Sequence, residues 1–239
     1  MAYDAVASTA AATTAEASAP WLAEGYATTW AANDGLAALL QLPWRMTTAL
    51  VGLRHPPRLV VDVGSGPGTF LNELLTQYPE ARGVWLDASP EMLQTAKTRL
   101  TAHGDRVTYI VGDMNELASL ELPDGVDVIT NSRVAHHFQL PELQAFYEAG
   151  HGILAPGGWL VTLDHIRPSE FWNSSLRTVL PLFAGPNAGK PTHPHYYPFP
   201  TPEEHLASLR AAGFDNVDMP WRAFYTCLFM GQKPGGSAE

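Results

Sequence analysis

A single cysteine among 239 residues, Cys227, excludes an intrachain disulfide and fits a reducing compartment. Its setting, Tyr225-Thr226-Cys227-Leu228-Phe229, reads as a buried strand position rather than a nucleophile. Basic residues are scarce. Fourteen Lys and Arg against 24 Asp and Glu leave a net charge of −10. That balance argues against the phosphate-tracking surface of a nucleic-acid binder and against an anionic membrane as the main partner. No apolar run is long enough to span a bilayer. Met1–Pro20, rich in Ala, Thr and Ser, lacks the basic start and apolar core of a signal peptide and carries Asp4 and Glu16 instead. These absences fit a cytoplasmic protein with a small-molecule partner; its state, monomer or homodimer, is not set by the sequence. An apolar content of 46% is enough for the core of one good-sized α/β domain.

What is present is concentrated in Leu59–Phe70, LVVDVGSGPGTF. A β-branched run carrying Asp62 enters Gly64-Ser65-Gly66-Pro67-Gly68, and Phe70, Leu71, Leu74, Leu75 and Tyr78 then follow at helical spacing. Strand, glycine turn and helix open a βαβ unit whose backbone is exposed at the turn for a ligand. A dinucleotide fingerprint would place its third glycine at position 69, where Thr69 stands, and a P-loop would need Gly-Lys-Ser/Thr. No basic residue opens the helix, so nothing here recognises a diphosphate.

Three further apolar runs end in polar residues. Gly83–Asp87 ends in an acid placed to accept both hydroxyls of a ribose, and Ser89-Pro90-Glu91 then caps a helix. Val107–Val111 leads to Gly112-Asp113-Met114, an acid for an exocyclic amine with an apolar neighbour for a ring. Val126–Thr130 leads to Asn131-Ser132-Arg133, and a fifth strand is expected over Trp159–Asp164. Alternating strands and helices imply a parallel sheet with right-handed crossovers.

Taken in order, Asp62 to Gly68, Asp87, Gly112-Asp113, Asp127 to Ser132 and Leu154-Ala155-Pro156-Gly157-Gly158 resemble the class I S-adenosylmethionine-dependent methyltransferases, closely over residues 57–165. The resemblance implies an α/β, Rossmann-like, doubly wound and mostly parallel seven-stranded sheet with helices on both faces. It also implies an antiparallel pair at one edge, from Asn216–Met219 and Ala223–Met230 linked through Pro220-Trp221-Arg222. With S-adenosylmethionine as cofactor, Gly64 and Gly66 would approach the methionine moiety, Asp87 would hold the ribose, and Asp113 and Met114 the adenine. Asn131 and Ser132 would lie near the methionine end, and Asp62, Ser65 and Ala88 complete the expected cofactor set.

Organisation follows the same pattern: a flexible leader over 1–20, an N-terminal helical lid over 21–57, a core over 58–232 that includes a cap insertion over 166–200, and a flexible tail over 233–239. The lid helix is expected to break at Pro43. The cap combines a short helix from Phe171 to Leu180 with a proline-rich loop from Pro181 to Pro200. Both segments are rich in aromatic residues and point to a closed, apolar acceptor pocket. Tyr26, Trp30, Trp172, His195 and Tyr196 are the candidate acceptor contacts, with core packing the duller reading of the aromatic ones.

Methyl transfer from a sulfonium is an in-line displacement that needs alignment and exclusion of water, and a base only when the acceptor arrives protonated. His165, at a strand end, and His137 are the candidate bases. The His136-His137 pair also reads as structure, one ring packing on the helix that follows. Arg133 is the better of two candidates, over Arg167, for an acidic acceptor, a surface ion pair being the default for either. No metal is expected, because the histidines have no ligand spacing. The activity expected is methylation of a small hydrophobic or aromatic metabolite on O, N or C, in biosynthesis. The alternatives are an S-adenosylmethionine-binding protein that catalyses a non-methylating reaction or serves as a binding module, and an RNA or protein methyltransferase.

Overall fold

The computed structural model describes residues 37–184 and 198–235, together with Gly25. Five apolar runs form the parallel part of one sheet: β1 (Leu59–Val63), β2 (Arg82–Asp87), β3 (Val107–Val111), β4 (Val126–Ser132) and β5 (Leu154–His165). β6 (Asp215–Ala223) and β7 (Thr226–Gln232) complete it, with β7 antiparallel to both β5 and β6. The order is β3-β2-β1-β4-β5-β7-β6. The chain winds outward in opposite directions from β1 and β4, so a crevice opens at the carboxyl ends of those two strands.

Successive strand residues face opposite ways, and the sheet has a core on each side. Val60 packs with α1 (Ala37–Val51), α2 (Thr69–Gln77) and α3 (Pro90–Arg99) through Trp44, Phe70 and Met92. Val61 and Val63 pack with α4 (Leu140–Ile153) and α6 (Pro202–Ala211) through Phe146, Tyr147 and Leu209. A further helix, α5 (Glu170–Ala184), follows β5. Register brings the functional ends level. Val63 pairs with Leu86 on one side and Asn131 on the other, so Gly64, Asp87 and Ser132 stand in one row at the rim. Among the described residues no helix is long and apolar enough to cross a membrane.

Prolines account for most boundary differences from the sequence reading. α1 runs through Pro43 and α5 through Pro181: each proline removes one backbone donor, and in α1 packing on the sheet side through Leu40, Trp44 and Val51 holds the helix across the break. The expected link Pro220-Trp221-Arg222 is part of β6, which is an edge strand and tolerates proline. The turn falls instead at Phe224-Tyr225, where Phe224 has φ 52°. β5 begins at Leu154, earlier than expected, through an irregular stretch that pairs Leu154 with Val126. α6 opens with the capping box read from the sequence: the Glu204 amide donates to Thr201 Oγ1 at 3.1 Å and the Thr201 amide to Glu204 Oε2 at 2.7 Å.

Candidate functional site

The turn after β1 is pinned from three directions. The Ser65 amide donates to the Leu86 carbonyl at 3.0 Å, the Trp85 indole to the Gly66 carbonyl at 2.8 Å, and the Gly66 amide to Asp87 Oδ2 at 2.8 Å. Gly64 and Gly66 both have positive φ, 63° and 52°, but differ in why glycine is needed. A Cβ at Gly64 would lie 2.4 Å from Val134 Cγ2, a steric conflict within the protein. At Gly66 it would meet nothing nearer than Met92 Sδ at 4.0 Å, so that backbone is open to the crevice.

Three carboxylates border the crevice. Asp62 is buried at 1% exposure; its Oδ2 accepts from the Ser65 hydroxyl at 2.6 Å and its Oδ1 from the Thr130 hydroxyl at 2.7 Å. Burial outweighs these bonds and pushes its pKa up to about 6. Asp87 ends β2. Its oxygens accept from the amides of Gly66 and Ser89, the latter at 2.9 Å, and burial pushes its pKa upward. Each carboxylate oxygen has two lone pairs, so both keep one for a ligand. Asp113 follows β3 and caps a short turn of helix, its Oδ1 accepting from the Asn115 amide and side chain at 2.9 and 2.7 Å.

At the far end stands the loop after β4. Arg133 has φ 61°, an uncommon conformation for a side-chain-bearing residue, and its amide donates to the Leu163 carbonyl at 2.9 Å. Buried Asp164 of β5 organises this loop. Its Oδ2 accepts from the amides of Val134 (2.8 Å) and His136 (3.1 Å), and its Oδ1 from the His136 ring at Nδ1 (2.7 Å) and the His165 amide (2.6 Å). His136 and His137 are both buried, with ring centroids 4.2 Å apart. Among the described residues no group of three or more His, Cys, Asp or Glu is placed to hold a metal.

One cavity joins these parts. Of the sequence candidates, Asp62, Gly64, Ser65, Gly66, Asp87, Ala88, Asp113, Met114, Ser132, Arg133 and His137 line it. Asn131 does not. It is fully buried beneath the rim on the α4 side, its amide donating to Thr162 Oγ1 at 3.0 Å. His165 is also outside the lining, with Nδ1 3.2 Å from Thr226 Oγ1 and its ring stacked near Phe199. Trp172 is 54% exposed and packs edge-on against Phe171. Tyr26, Trp30, His195 and Tyr196 lie outside the described residues. The sequence reading missed Trp44, Phe70, Met92 and Val134 as lining residues. Phe70 and Met92 were findable, each in the first turn of a helix that follows a recognised strand end. Trp44 carried no signal beyond its place in a helical pattern. The lining has three carboxylates and one guanidinium, which suits a ligand bearing positive charge and disfavours a diphosphate.

Comparison with known proteins agrees with this geometry. The family described as a methyltransferase domain matches residues 60–158. A demethylmenaquinone methyltransferase of Thermus thermophilus is 30% identical over 188 residues, covering 72% of this chain and 81% of the relative. A 3-amino-4-hydroxybenzoate 4-O-methyltransferase of Streptomyces cremeus is 37% identical over 110 residues, 46% of this chain and 29% of the relative. Among solved structures, human N-acetylserotonin methyltransferase in complex with S-adenosylmethionine superposes with a TM-score of 0.65 at 18% identity, covering 91% of this chain and 58% of that one. The chain thus spans under a third of the aminohydroxybenzoate enzyme and a little over half of the human one.

Proposed function

This chain belongs to the class I S-adenosylmethionine-dependent methyltransferases, and we propose that it methylates a small hydrophobic or aromatic metabolite, on O, N or C, in a biosynthetic reaction. The observation that carries the reading is the order of groups along the crevice. Asp113 and Met114 stand at the end of β3, Asp87 and Ala88 at β2, the open backbone of Gly66 at β1, and Ser132 at β4. That order matches adenine, ribose and methionine laid across the strand ends, with carboxylates facing a cationic donor. The two curated relatives above are named for a demethylmenaquinone and an aminohydroxybenzoate, both ring compounds.

When bound, the cofactor would supply an electrophilic methyl group on a cationic sulfonium, which departs as a neutral thioether. Asp87 would take the ribose hydroxyls on its two remaining lone pairs, preorganised by the Gly66 and Ser89 amides. Asp113 would accept from the adenine amine, with Met114, Met92 and Ala88 against the ring. Gly64, Ser65 and Asp62 would surround the methionine moiety. Asn131 supports the floor of this end from below. At the acceptor side, His137 is the histidine that lines the cavity, so we assign it proton removal from a hydroxyl acceptor, ahead of His165. Arg133 would meet an acidic substituent. Trp172 and, on sequence grounds, Tyr26, Trp30, His195 and Tyr196 would surround the acceptor.

The test is direct. The purified protein is incubated with S-adenosylmethionine and a panel of phenols, hydroquinones and aromatic amines, and S-adenosylhomocysteine is followed together with a methylated product. Cofactor binding with no S-adenosylhomocysteine from any acceptor would favour a binding module or a non-methylating reaction. Tight NADH binding would overturn the assignment of the crevice.

A further inference from the structure

Trp44 is the lining residue that neither the glycine turn nor the strand ends account for. It comes from α1, outside the βα units, and is only 4% exposed, yet its indole borders the cavity. Two features fix it there. Its Nε1–H donates to Ser132 Oγ at 3.4 Å, which ties one edge of the indole to the end of β4. Phe70 stacks on it with ring centroids 5.8 Å apart and planes 24° apart. Its backbone is held as well: the Thr48 hydroxyl donates to the Trp44 carbonyl at 2.6 Å, and the Tyr78 hydroxyl donates to the Thr48 carbonyl in turn. A residue needed only to fill the core would not require an immobilised indole at the rim of a ligand cavity.

The electrostatics give this wall a task. The face of an indole is the best aromatic surface for a cation, and the attraction grows as water is excluded. The rest of the lining is rich in carboxylate, so a positive centre here would sit among acids and beside the Trp44 indole. Resting on the cofactor assignment above, we propose that Trp44 reads the charge of the methyl donor. Its ring holds the cationic sulfonium of S-adenosylmethionine more tightly than the neutral thioether of S-adenosylhomocysteine. Transfer of the methyl group discharges the sulfur and removes that attraction, so the wall favours loading of donor and release of product without touching the acceptor.

The experiment compares affinities within each protein, so that loss of packing in a variant cancels. Calorimetry is run on the wild type, Trp44→Phe and Trp44→Leu with three ligands: S-adenosylmethionine, S-adenosylhomocysteine, and an analogue carrying a protonated amine in place of the sulfonium. Trp44→Leu is expected to weaken the sulfonium ligand about two- to thirtyfold more than the thioether, the span of a single cation–π contact. The amine analogue should follow the sulfonium, and Trp44→Phe, which keeps a π-face, should retain most of the preference. Equal losses for charged and neutral ligands in Trp44→Leu would overturn the proposal and leave Trp44 a packing residue. Failure of the wild type to bind either adenosyl ligand would instead overturn the cofactor assignment itself.

Discussion

Asp62 offers the sharpest test, because the fold and the ligand want opposite things from it. In the unliganded protein this carboxyl is buried, and burial raises its pKa from 3.8 to about 6 despite the bonds from Ser65 and Thr130. A carboxyl whose folded pKa lies above its unfolded value binds protons more tightly when folded. Its contribution to stability is therefore fully present below pH 4 and is lost as pH rises through about 6. At pH 7.5 the folded state carries an ionised group it disfavours by about 3 kcal/mol, at roughly 1.4 kcal/mol per pH unit of displacement. Asp62→Asn keeps the shape and removes the charge, and both neighbouring hydroxyls can rotate to serve the amide. We expect it to stabilise the unliganded protein by about 1–3 kcal/mol at pH 7.5, or roughly 3–10 °C for a domain of this size. The gain should shrink to nothing near pH 4. The ligand reverses the sign: a cationic cofactor favours the ionised carboxyl, so wild-type affinity should fall as pH drops below about 6, and the asparagine variant should bind weakly with a flatter profile. Urea titrations and calorimetry at pH 4, 6 and 7.5 read both quantities. A variant no more stable than wild type at pH 7.5, or a gain of the same size at pH 4, would refute the argument that burial governs this group.

Four other perturbations have expected outcomes. Asp87→Ala removes the proposed ribose acceptor and the partner of the Gly66 amide, and should weaken S-adenosylmethionine at least about tenfold by calorimetry, without unfolding the domain. Gly64→Ala places a methyl against Val134 at a positive φ and should destabilise by about 1–3 kcal/mol in denaturant; Val134→Ala in the same chain should recover the steric part but not the backbone part. Asp164→Asn leaves a cluster of buried N–H donors facing an amide that can satisfy them only in part, and should cost about 3–5 kcal/mol. If His137 is the base, His137→Gln should abolish the acid limb of the pH–rate profile, whereas an intact limb would return the role to His165 or to alignment alone.

How much of this was legible depends on how local each feature is. The glycine turn, Asp87 and Asp113 could be read because each lies within a few residues of a β-branched run, and spacing along the chain fixes which strand end it occupies. Asn131 and Ser132 show where such reading stops. They are adjacent in sequence and share one expectation, but neighbouring strand residues point to opposite faces. Ser132 meets Trp44 on the α1 side, whereas Asn131 turns to Thr162 on the α4 side. The same alternation separates Asp164 from His165. One step of register sends Asp164 beneath the loop that carries Arg133, Val134 and His137, and leaves His165 beside Thr226 on the neighbouring strand. Asp164 reads as a lone acid in an apolar strand, because three of its four donors come from Val134 and His136 in the loop after β4, some thirty residues away along the chain. Trp44 stood beyond reach for a related cause. Proline at position 43 suggested a break, whereas packing of α1 on α2 carries the helix through it and delivers the indole to the rim. Most residues lining the cavity are thus local to the strand ends, while Trp44 reaches it from a helix outside the repeating units and the loop that carries His137 is set by the register of β5. That division explains why the cofactor is readable from this chain and the acceptor is not: the strand ends spell out the first in runs of neighbouring residues, and no such run spells out the second.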